Sequence, residues 1–360
     1  MKLAIISQLL LAALPALGAV PRATDDDQDL YVQAGSHVIY SYPGLTPSPH
    51  ILNLTRQGKV GGIILFGENV DENLIDVVAS FQQAYEESPA YQGNPLFIMT
   101  DQEGPTVARV PGGPNMTAKE IGLSPHPPDA AEIAGEQAGK ALKALNINTN
   151  LAPVLGVSRE EGDFLDSAER SYGNNSQTVS NCGWFFSIRQ REQGVISTAK
   201  HFPGLGATFK NTDEEAVTID LTRDKIRTVD EYPYREIIDA GIEMVMPSWA
   251  IYPDLDPKMP AGLSKSIIQG ELRQWMGFEG VTITDAIEAL SLAKFGNHAE
   301  LGLMATLAGM DLLLASGRNE TQGEAIVEAL VEGVKGGTLS KDEFDAGTER
   351  ILALQSKLTF

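Results

Sequence analysis

The sequence predicts a single-domain α/β protein with the (β/α)₈ TIM-barrel fold, and three observations support that fold class. Short apolar runs rich in β-branched residues occur eight times, and segments with the 3.6-residue periodicity of helices separate them. The runs recur about every 30–50 residues, which matches the spacing of strand–helix units. Polar side chains follow several of the runs, and barrel enzymes hold their active site at these strand ends.

The eight predicted strands are residues 36–40, 61–66, 95–100, 147–153, 195–199, 242–247, 281–284 and 310–315. Predicted helices include residues 74–85, 130–145, 267–276 and 325–334, with a closing amphipathic segment at 341–358. A doubly wound open sheet shows a similar alternation, but eight repeats favour the barrel. A dinucleotide-binding fold lacks its main support, because no glycine-rich phosphate motif follows the first strand.

The first 19 residues are predicted to be a secretory signal peptide, which leaves residues 20–360 for the barrel domain. Lys2 gives a positive start, an apolar stretch covers residues 3–17, and Ala16-Leu17-Gly18 resembles a small-residue cleavage site. The stretch is too short for a membrane span, although a retained anchor is the alternative. We therefore expect a secreted, extracellular protein.

Composition narrows the class of partner. The net charge of -21 argues against nucleic acid and anionic membranes as partners, because both repel an acidic surface. Cys182 is the only cysteine, so no intramolecular disulfide forms, and we expect this thiol to be buried and inert. We also expect a monomer.

Four asparagines begin N-glycosylation sequons, which gain meaning from the predicted secretion signal. They are Asn53, Asn115, Asn174 and Asn319. Each sequon is a weak signal alone because the pattern is common by chance, but together with the signal peptide they favour a eukaryotic secretory route.

Charged residues follow several adjacent predicted strands. Asp101 follows the third strand with Arg109 close behind, Arg170 follows the fourth, Lys200 and His201 follow the fifth, and Asp285 ends the seventh. A single acid at such a position often only caps a helix. Because the strand ends of a barrel meet at one face, the set predicts one polar pocket for a neutral, hydroxyl-rich substrate.

Several segments, in this order, resemble family 3 glycoside hydrolases of the β-N-acetylglucosaminidase type. They are Asp101-Gln102-Glu103-Gly104 with Arg109, Leu151-Ala152-Pro153-Val154, Arg170-Ser171-Tyr172-Gly173, Lys200-His201-Phe202-Pro203-Gly204, the Thr284-Asp285 strand end, and Ala308-Gly309-Met310-Asp311. The run that begins at Lys200 is the most specific of them. The resemblance covers about residues 30–357.

The resemblance implies a retaining β-glycosidase that releases β-linked N-acetylglucosamine. Asp285 would form a covalent glycosyl intermediate, which water then opens. The residues that would hold the sugar hydroxyls are Asp101, Arg109, Arg170, Lys200 and His201. Lys200 would also keep Asp285 ionised. A carbohydrate is the expected partner, and no metal or organic cofactor is implied.

The chain departs from the family pattern around the proton donor. Leu205 replaces a histidine that usually follows the glycine of the Lys-His-Phe-Pro-Gly motif, and Gly156 replaces an acid. Asp213 stands at the position of the catalytic acid/base histidine, and a carboxylic acid performs the same proton transfer in most glycosidases. Glu214 and Glu215 are the adjacent alternatives.

Two other functions stay open at this point. One is a glycosidase for another sugar, such as β-glucose, because the polar set around the proton donor is altered. The other is a carbohydrate-binding protein that lost turnover with the histidine. Trp249 stands where the family often has histidine, and the sequence leaves open whether it stacks on a sugar or fills the core.

Overall fold

A computed structural model describes residues 25–358, so the predicted signal peptide lies outside the described residues. Eight short buried strands form the main sheet. In chain order, β1 to β8 are Val38–Tyr40, Gly62–Ile64, Phe97–Thr100, Thr149–Asn150, Ile196–Phe202, Met244–Pro247, Val281–Thr282 and Leu313–Ala315.

All neighbouring strands of this sheet run parallel, in the order β7-β6-β5-β4-β3-β2-β1-β8. The first strand pairs with the last, Val38 opposite Leu313. The two end strands of that order are also linked, because Ile283 and Leu312 form a parallel bridge and the Thr284 N–H donates to the Leu312 carbonyl at 2.9 Å. The sheet is therefore a curled, TIM-barrel-like array of eight parallel strands.

Helices follow the strands and cover the outside of the sheet. Helices α1 to α12 are Asp25–Ser36, Pro49–Arg56, Leu74–Glu86, Ala118–Gly122, Pro127–Lys143, Phe164–Ser167, Ser176–Glu192, Arg223–Lys225, Tyr232–Asp239, His298–Ala308, Glu320–Lys335 and Lys341–Gln355. Two further segments, Ile226–Asp230 and Ser266–Trp275, have the wider π-helical turn. Small antiparallel hairpins follow β3 (Gln102–Gly104 with Val107–Ala108) and β6 (Ile251–Tyr252 with Asp256–Pro260).

The interior of the curled sheet is filled by apolar side chains from the strands, among them Ile39, Phe97 and Met244. From the terminal helix α12, Ile351 and Leu354 join the same cluster, so this helix covers one end of the sheet. Burial of this apolar surface supplies the main driving force for the fold.

A buried acid, Asp311, precedes β8 and links several elements at the N-terminal side of the sheet. Its carboxylate accepts from the Thr282 N–H at 2.9 Å and pairs with Arg273 and Arg350, each at 2.7 Å. Asp311 thus connects β7, the π-helical segment before it and α12 at one buried point.

The eight predicted strands all occur in the predicted places, but most are shorter. The fourth strand has two residues in place of the seven predicted at 147–153. The fifth is longer than predicted, because its pairing with β6 continues past Ala199, with Lys200 opposite Met246 and Phe202 opposite Pro247. Lys200 and His201 therefore lie inside the strand, where neighbouring strands restrain their backbone.

The predicted helices also occur, with ends displaced by a few residues. Residues 266–275 are π-helical and not α-helical, a difference that hydrophobic periodicity does not detect. Cys182 is buried in α7, and burial raises the pKa of its thiol to about 12, which keeps it protonated and unreactive. In the part of the chain that the structure describes, no helix has the length and apolarity needed to cross a membrane.

Candidate active site

A cavity of about 170 Å³ opens at the C-terminal ends of the strands. Apolar residues of alternate strands contribute to its lining, with Ile64 from β2, Met246 from β6 and Leu314 from β8. All seven predicted site residues also line it, namely Asp101, Arg109, Arg170, Lys200, His201, Asp213 and Asp285. Residues spread over 185 positions of sequence, from Asp101 to Asp285, therefore meet in one pocket.

A network of buried charges lies on one side of the cavity. The Lys200 ammonium is 2.7 Å from an oxygen of Asp101 and 2.8 Å from an oxygen of Glu103. Arg170 donates two bonds to Glu103, from Nε at 2.8 Å and from a terminal nitrogen at 2.9 Å. Two cations and two carboxylates thus hold each other in fixed positions.

The network favours the charged forms of Glu103 and Lys200. Burial alone would raise the pKa of Glu103, but the charges and hydrogen bonds of Arg170 and Lys200 outweigh it and hold this pKa well below its ordinary value. Burial likewise opposes the charge of Lys200, yet Asp101 and Glu103 raise its pKa above the ordinary value. The pocket therefore contains fixed donors and acceptors, as a substrate with several hydroxyls requires.

Glu103 is the residue that the sequence prediction of the site omitted. It lies on the hairpin after β3, lines the cavity and joins Arg170 to Lys200. A signal was present, because in an extended chain residues i and i+2 point to the same side. Asp101 and Glu103 have that spacing.

Asp285 follows β7, and its two carboxylate oxygens adjoin different groups. Its Oδ1 accepts from the N–H of Ala286 at 2.8 Å. Its Oδ2 lies 3.8 Å from Nε2 of His201. Burial, together with the positive charges of Lys200 and Arg170, lowers the pKa of His201 well below its ordinary value, so this ring is neutral at physiological pH.

Trp249 supports this segment from the core. Its side chain is 1% exposed, and its indole N–H donates to the carbonyl of Ala286 at 2.9 Å. Of the two interpretations left open by the sequence, core filling is therefore the one observed. Trp249 acts on the site indirectly, by fixing the backbone next to Asp285.

Asp285 and Asp213 influence each other's protonation. Burial and the nearby charge of Asp213 raise the pKa of Asp285 to about 7, although the Ala286 N–H and Lys200 oppose the shift. Lys200 thus acts in the predicted direction but does not prevail. Partial burial also raises the pKa of Asp213, against the charges of Arg170 and Lys200, while its exposure at the mouth screens the effect. The pair binds one proton more tightly than separate carboxyls would.

The loop that carries Asp213 is anchored to its neighbours. The Asp213 carbonyl accepts from the Leu290 N–H at 3.0 Å, and the Asp213 N–H donates to the Asn211 side chain at 3.0 Å. Glu214 and Glu215 bond instead to Asn211 and Lys210, and they are not among the residues that line the cavity. Asp213 is therefore the carboxyl of this loop that faces Asp285 across the pocket.

The two departures from the family motif near this loop are neighbours in space. A Cβ added to Gly156 would lie 2.1 Å from Cδ1 of Leu165 and 3.5 Å from the N of Gly206. Leu205, next to Gly206, is buried and packs in the same apolar cluster as Leu165. Apolar packing thus occupies the region where the family pattern has a histidine and an acid.

The family model for the glycosyl hydrolase family 3 N-terminal domain matches residues 34–354. The chain belongs to glycosyl hydrolase family 3. The predicted family and enzyme class, a glycosidase, are therefore confirmed.

Three similar proteins indicate where the chain lies within the family. An uncharacterized secreted glycosyl hydrolase of Arthroderma benhamiae is 54% identical over the whole of both chains. Beta-hexosaminidase A of Pseudoalteromonas piscicida is 30% identical over 87% of this chain and 56% of its own length. A family 3 beta-N-acetylglucosaminidase from a Paenibacillus strain superposes with a TM-score of 0.84 at 31% identity, over 91% of this chain and 62% of its own. The chain thus spans about three fifths of the length of the last two proteins.

The raised pKa of Asp285 makes stability depend on pH. A carboxyl that binds its proton more tightly in the folded state favours folding fully below its unfolded pKa, and this contribution is lost as pH rises through about 7. Asp285→Asn removes the cost of the buried charge, so it should raise Tm at pH 8 and raise it less at pH 4. Each kcal/mol gained in the free energy of unfolding corresponds to a rise in Tm of about 2–4 °C in a large domain.

Thermal unfolding of both proteins at the two pH values measures this effect. Asp76→Asn, on the exposed side of α3, removes the same charge away from the site and is the matched control. Equal Tm changes at pH 4 and pH 8 for Asp285→Asn would contradict the prediction.

Proposed function

We propose that this chain is a secreted, retaining β-glycosidase that releases β-linked N-acetylglucosamine through a glycosyl intermediate on Asp285. The observation that carries the proposal is the pair of carboxyls, Asp285 and Asp213, that line one cavity, where the charge of Asp213 adds to burial in raising the pKa of Asp285. Glycoside hydrolysis of this kind requires two acidic side chains in one site, one as the nucleophile and the other as the proton donor.

In the first step, an oxygen of Asp285 attacks the anomeric carbon while the bond to the leaving-group oxygen breaks. Asp213 gives its proton to that oxygen, so the aglycone departs as a neutral alcohol. The attacking form of Asp285 is the carboxylate, and the Ala286 N–H favours this form against the burial that raises its pKa to about 7. Neutral His201 beside Asp285 adds no competing charge.

In the second step, Asp213 takes a proton from water as the water oxygen attacks the anomeric carbon. The bond to Asp285 breaks, its carboxylate is restored, and the sugar leaves with its original anomeric configuration. Asp213 thereby regains the proton that it gave away. Both steps use the same two side chains and need no other proton carrier.

The charged network binds the sugar of the −1 subsite. Lys200 and Arg170 have donors beyond those used by Asp101 and Glu103, and these donors suit hydroxyl oxygens. Asp101 accepts hydroxyl protons, and Arg109, whose Nε lies 3.9 Å from Asp101, adds further donors at the same side. His201 completes this set.

The preference for N-acetylglucosamine is supported by the relatives. Two of them are named as a beta-hexosaminidase and a beta-N-acetylglucosaminidase. We also propose that residues 20–360 form one closed (β/α)₈ barrel, which the link between β7 and β8 supports, and that the enzyme acts as a monomer.

Asp285→Ala should abolish turnover of aryl β-N-acetylglucosaminides, because it removes the carboxylate that forms the covalent bond. A fluorinated substrate that deglycosylates slowly should label Asp285, as detected by peptide mass spectrometry. Asp76→Asn serves as the control and should retain activity. Labelling of a different carboxylate, with Asp285→Ala still active, would refute the assignment.

Asp213→Ala should slow substrates with poor leaving groups by about 10²–10⁴-fold, the usual contribution of a general acid. Substrates with activated aryl leaving groups need no proton and should glycosylate the enzyme at nearly the normal rate. Azide should partly rescue the variant, because it attacks the intermediate without a general base. Steady-state kinetics on the two substrate classes, with and without azide, provide the measurement.

Glu214→Ala is the matched control, because that residue is bonded to Asn211 and does not line the cavity. If Asp213→Ala keeps full activity on both classes of substrate, Asp213 is not the proton donor. An unmutated protein that binds N-acetylglucosamine but turns over neither class would instead be a carbohydrate-binding homologue. Faster turnover of aryl β-glucosides would assign β-glucosidase-type specificity.

Secretion and glycosylation are proposed on the predicted signal peptide and on four sequons whose asparagines, Asn53, Asn115, Asn174 and Asn319, are exposed. The secreted name of the Arthroderma relative supports this proposal. Enzymatic deglycosylation of protein from the culture medium should lower its mass, and its N-terminus should lie near residue 20. Recovery of an unglycosylated chain that still starts at Met1 would contradict both proposals.

A further inference from the structure

The cavity is small compared with the substrate that the proposed function requires. Pockets that enclose whole drug-sized ligands run from roughly 300 to 1,000 Å³. The cavity of about 170 Å³ therefore has room for a single sugar ring. Under the proposed function, the group beyond the scissile bond must then lie outside the cavity, against its rim.

The position of the proton donor indicates which part of the rim that group contacts. A general acid must reach the glycosidic oxygen within hydrogen-bonding distance, so the first ring of the aglycone lies beside Asp213. The backbone of Asp213 is bonded to Leu290, whose N–H donates to its carbonyl at 3.0 Å. Leu290 is 65% exposed, although Ala289 beside it is buried.

A second exposed apolar side chain, Phe209, lies on the loop that carries Asp213. Phe209 is 62% exposed and precedes Asp213 by four residues. Its position is fixed by Thr208, whose carbonyl accepts from the N–H of Phe164 at 2.8 Å and whose hydroxyl accepts from the N–H of Lys210 at 3.1 Å. Phe164 itself lines the cavity, so the backbone next to Phe209 is bonded to a residue of the cavity wall.

The other aromatic side chain at the cavity, Phe66, is less free to bind an aglycone. The guanidinium of Arg318 lies 3.9 Å from the centre of its ring, and Arg318 is paired with Glu68. The ring of Phe66 is therefore covered by a charged side chain. The bare apolar surface lies on the side of Asp213.

We propose that Phe209 and Leu290 form an apolar rim that binds the aglycone ring of a β-linked oligosaccharide, which makes a sugar aglycone the preferred leaving group. This inference rests on the proposed function and extends it to the class of substrate. The C–H face of a pyranose ring is the apolar surface that a phenylalanine and a leucine cover well, and removing it from water favours binding.

The test compares the disaccharide of β-1,4-linked N-acetylglucosamine with N-acetylglucosaminyl fluoride, which fills the cavity but has no aglycone ring. Phe209→Ala and Leu290→Ala should each lower kcat/KM for the disaccharide by roughly three- to tenfold, as expected for loss of part of an apolar contact. Both should leave kcat/KM for the fluoride unchanged. Phe209→Trp, which keeps an aromatic surface, should retain activity on the disaccharide.

Ile133→Ala, which removes a 56% exposed apolar side chain from helix α5, is the control and should leave kcat/KM for both substrates unchanged. Unchanged kcat/KM for the disaccharide in both rim variants would overturn the rim while leaving the glycosidase intact. Equal losses on both substrates would also overturn it, because the residues would then only hold the loop. A wild-type protein inactive on the fluoride and the disaccharide alike would refute the proposed function itself, and the rim with it.

Discussion

The pocket depends on keeping an ammonium and a guanidinium charged inside the protein. Taking an ion out of water costs several kcal/mol even after relaxation, and an opposite charge must offset that cost. Lys200 is 3% exposed, and its charge is stable there because Asp101 and Glu103 are both within 3 Å of it. Arg170 depends on Glu103 in the same way. The removal of Glu103 would take away the carboxylate to which the Arg170 guanidinium is hydrogen-bonded.

The same constraint fixes the geometry of three successive strand ends. Asp101 and Glu103 follow β3, Arg170 lies on the loop after β4, and Lys200 lies within β5. Their mutual bonds position these segments before any substrate arrives. Donors and acceptors that are already oriented lose little entropy on binding, which is how a rigid polar pocket gains selectivity for one arrangement of hydroxyls.

Much of this arrangement was predictable, because the relevant signals are local. The run that ends at Asp285 and the motif that begins at Lys200 each combine a buried strand with a polar terminus, and the order of such segments indicated one shared face. The role of Glu103 was missed although its spacing from Asp101 was visible, because its partner Arg170 lies 67 residues away in the sequence.

Other features depended on tertiary context that one sequence does not contain. Trp249 was equally compatible with a sugar platform and with the core, and the decision came from the carbonyl of Ala286, which accepts its N–H. The exchange of polar for apolar residues at Gly156 and Leu205 became intelligible only when both proved to adjoin Leu165 and Gly206. Strand ends also shifted, because pairing with a neighbour decides where a ladder stops, as for β5.

The pairing of β1 with β8 has a consequence for how the protein is made. Val38 meets Leu313, and Ile351 of α12 packs into the same interior as the strands, so the central cluster needs segments from both ends of the described chain. During synthesis the early strands must wait, with apolar surface uncovered, until the last helix has left the ribosome. Contacts between residues so distant in sequence slow the search for the native state. Apolar surface that is exposed for this time makes a nascent chain prone to aggregation before the last segment arrives.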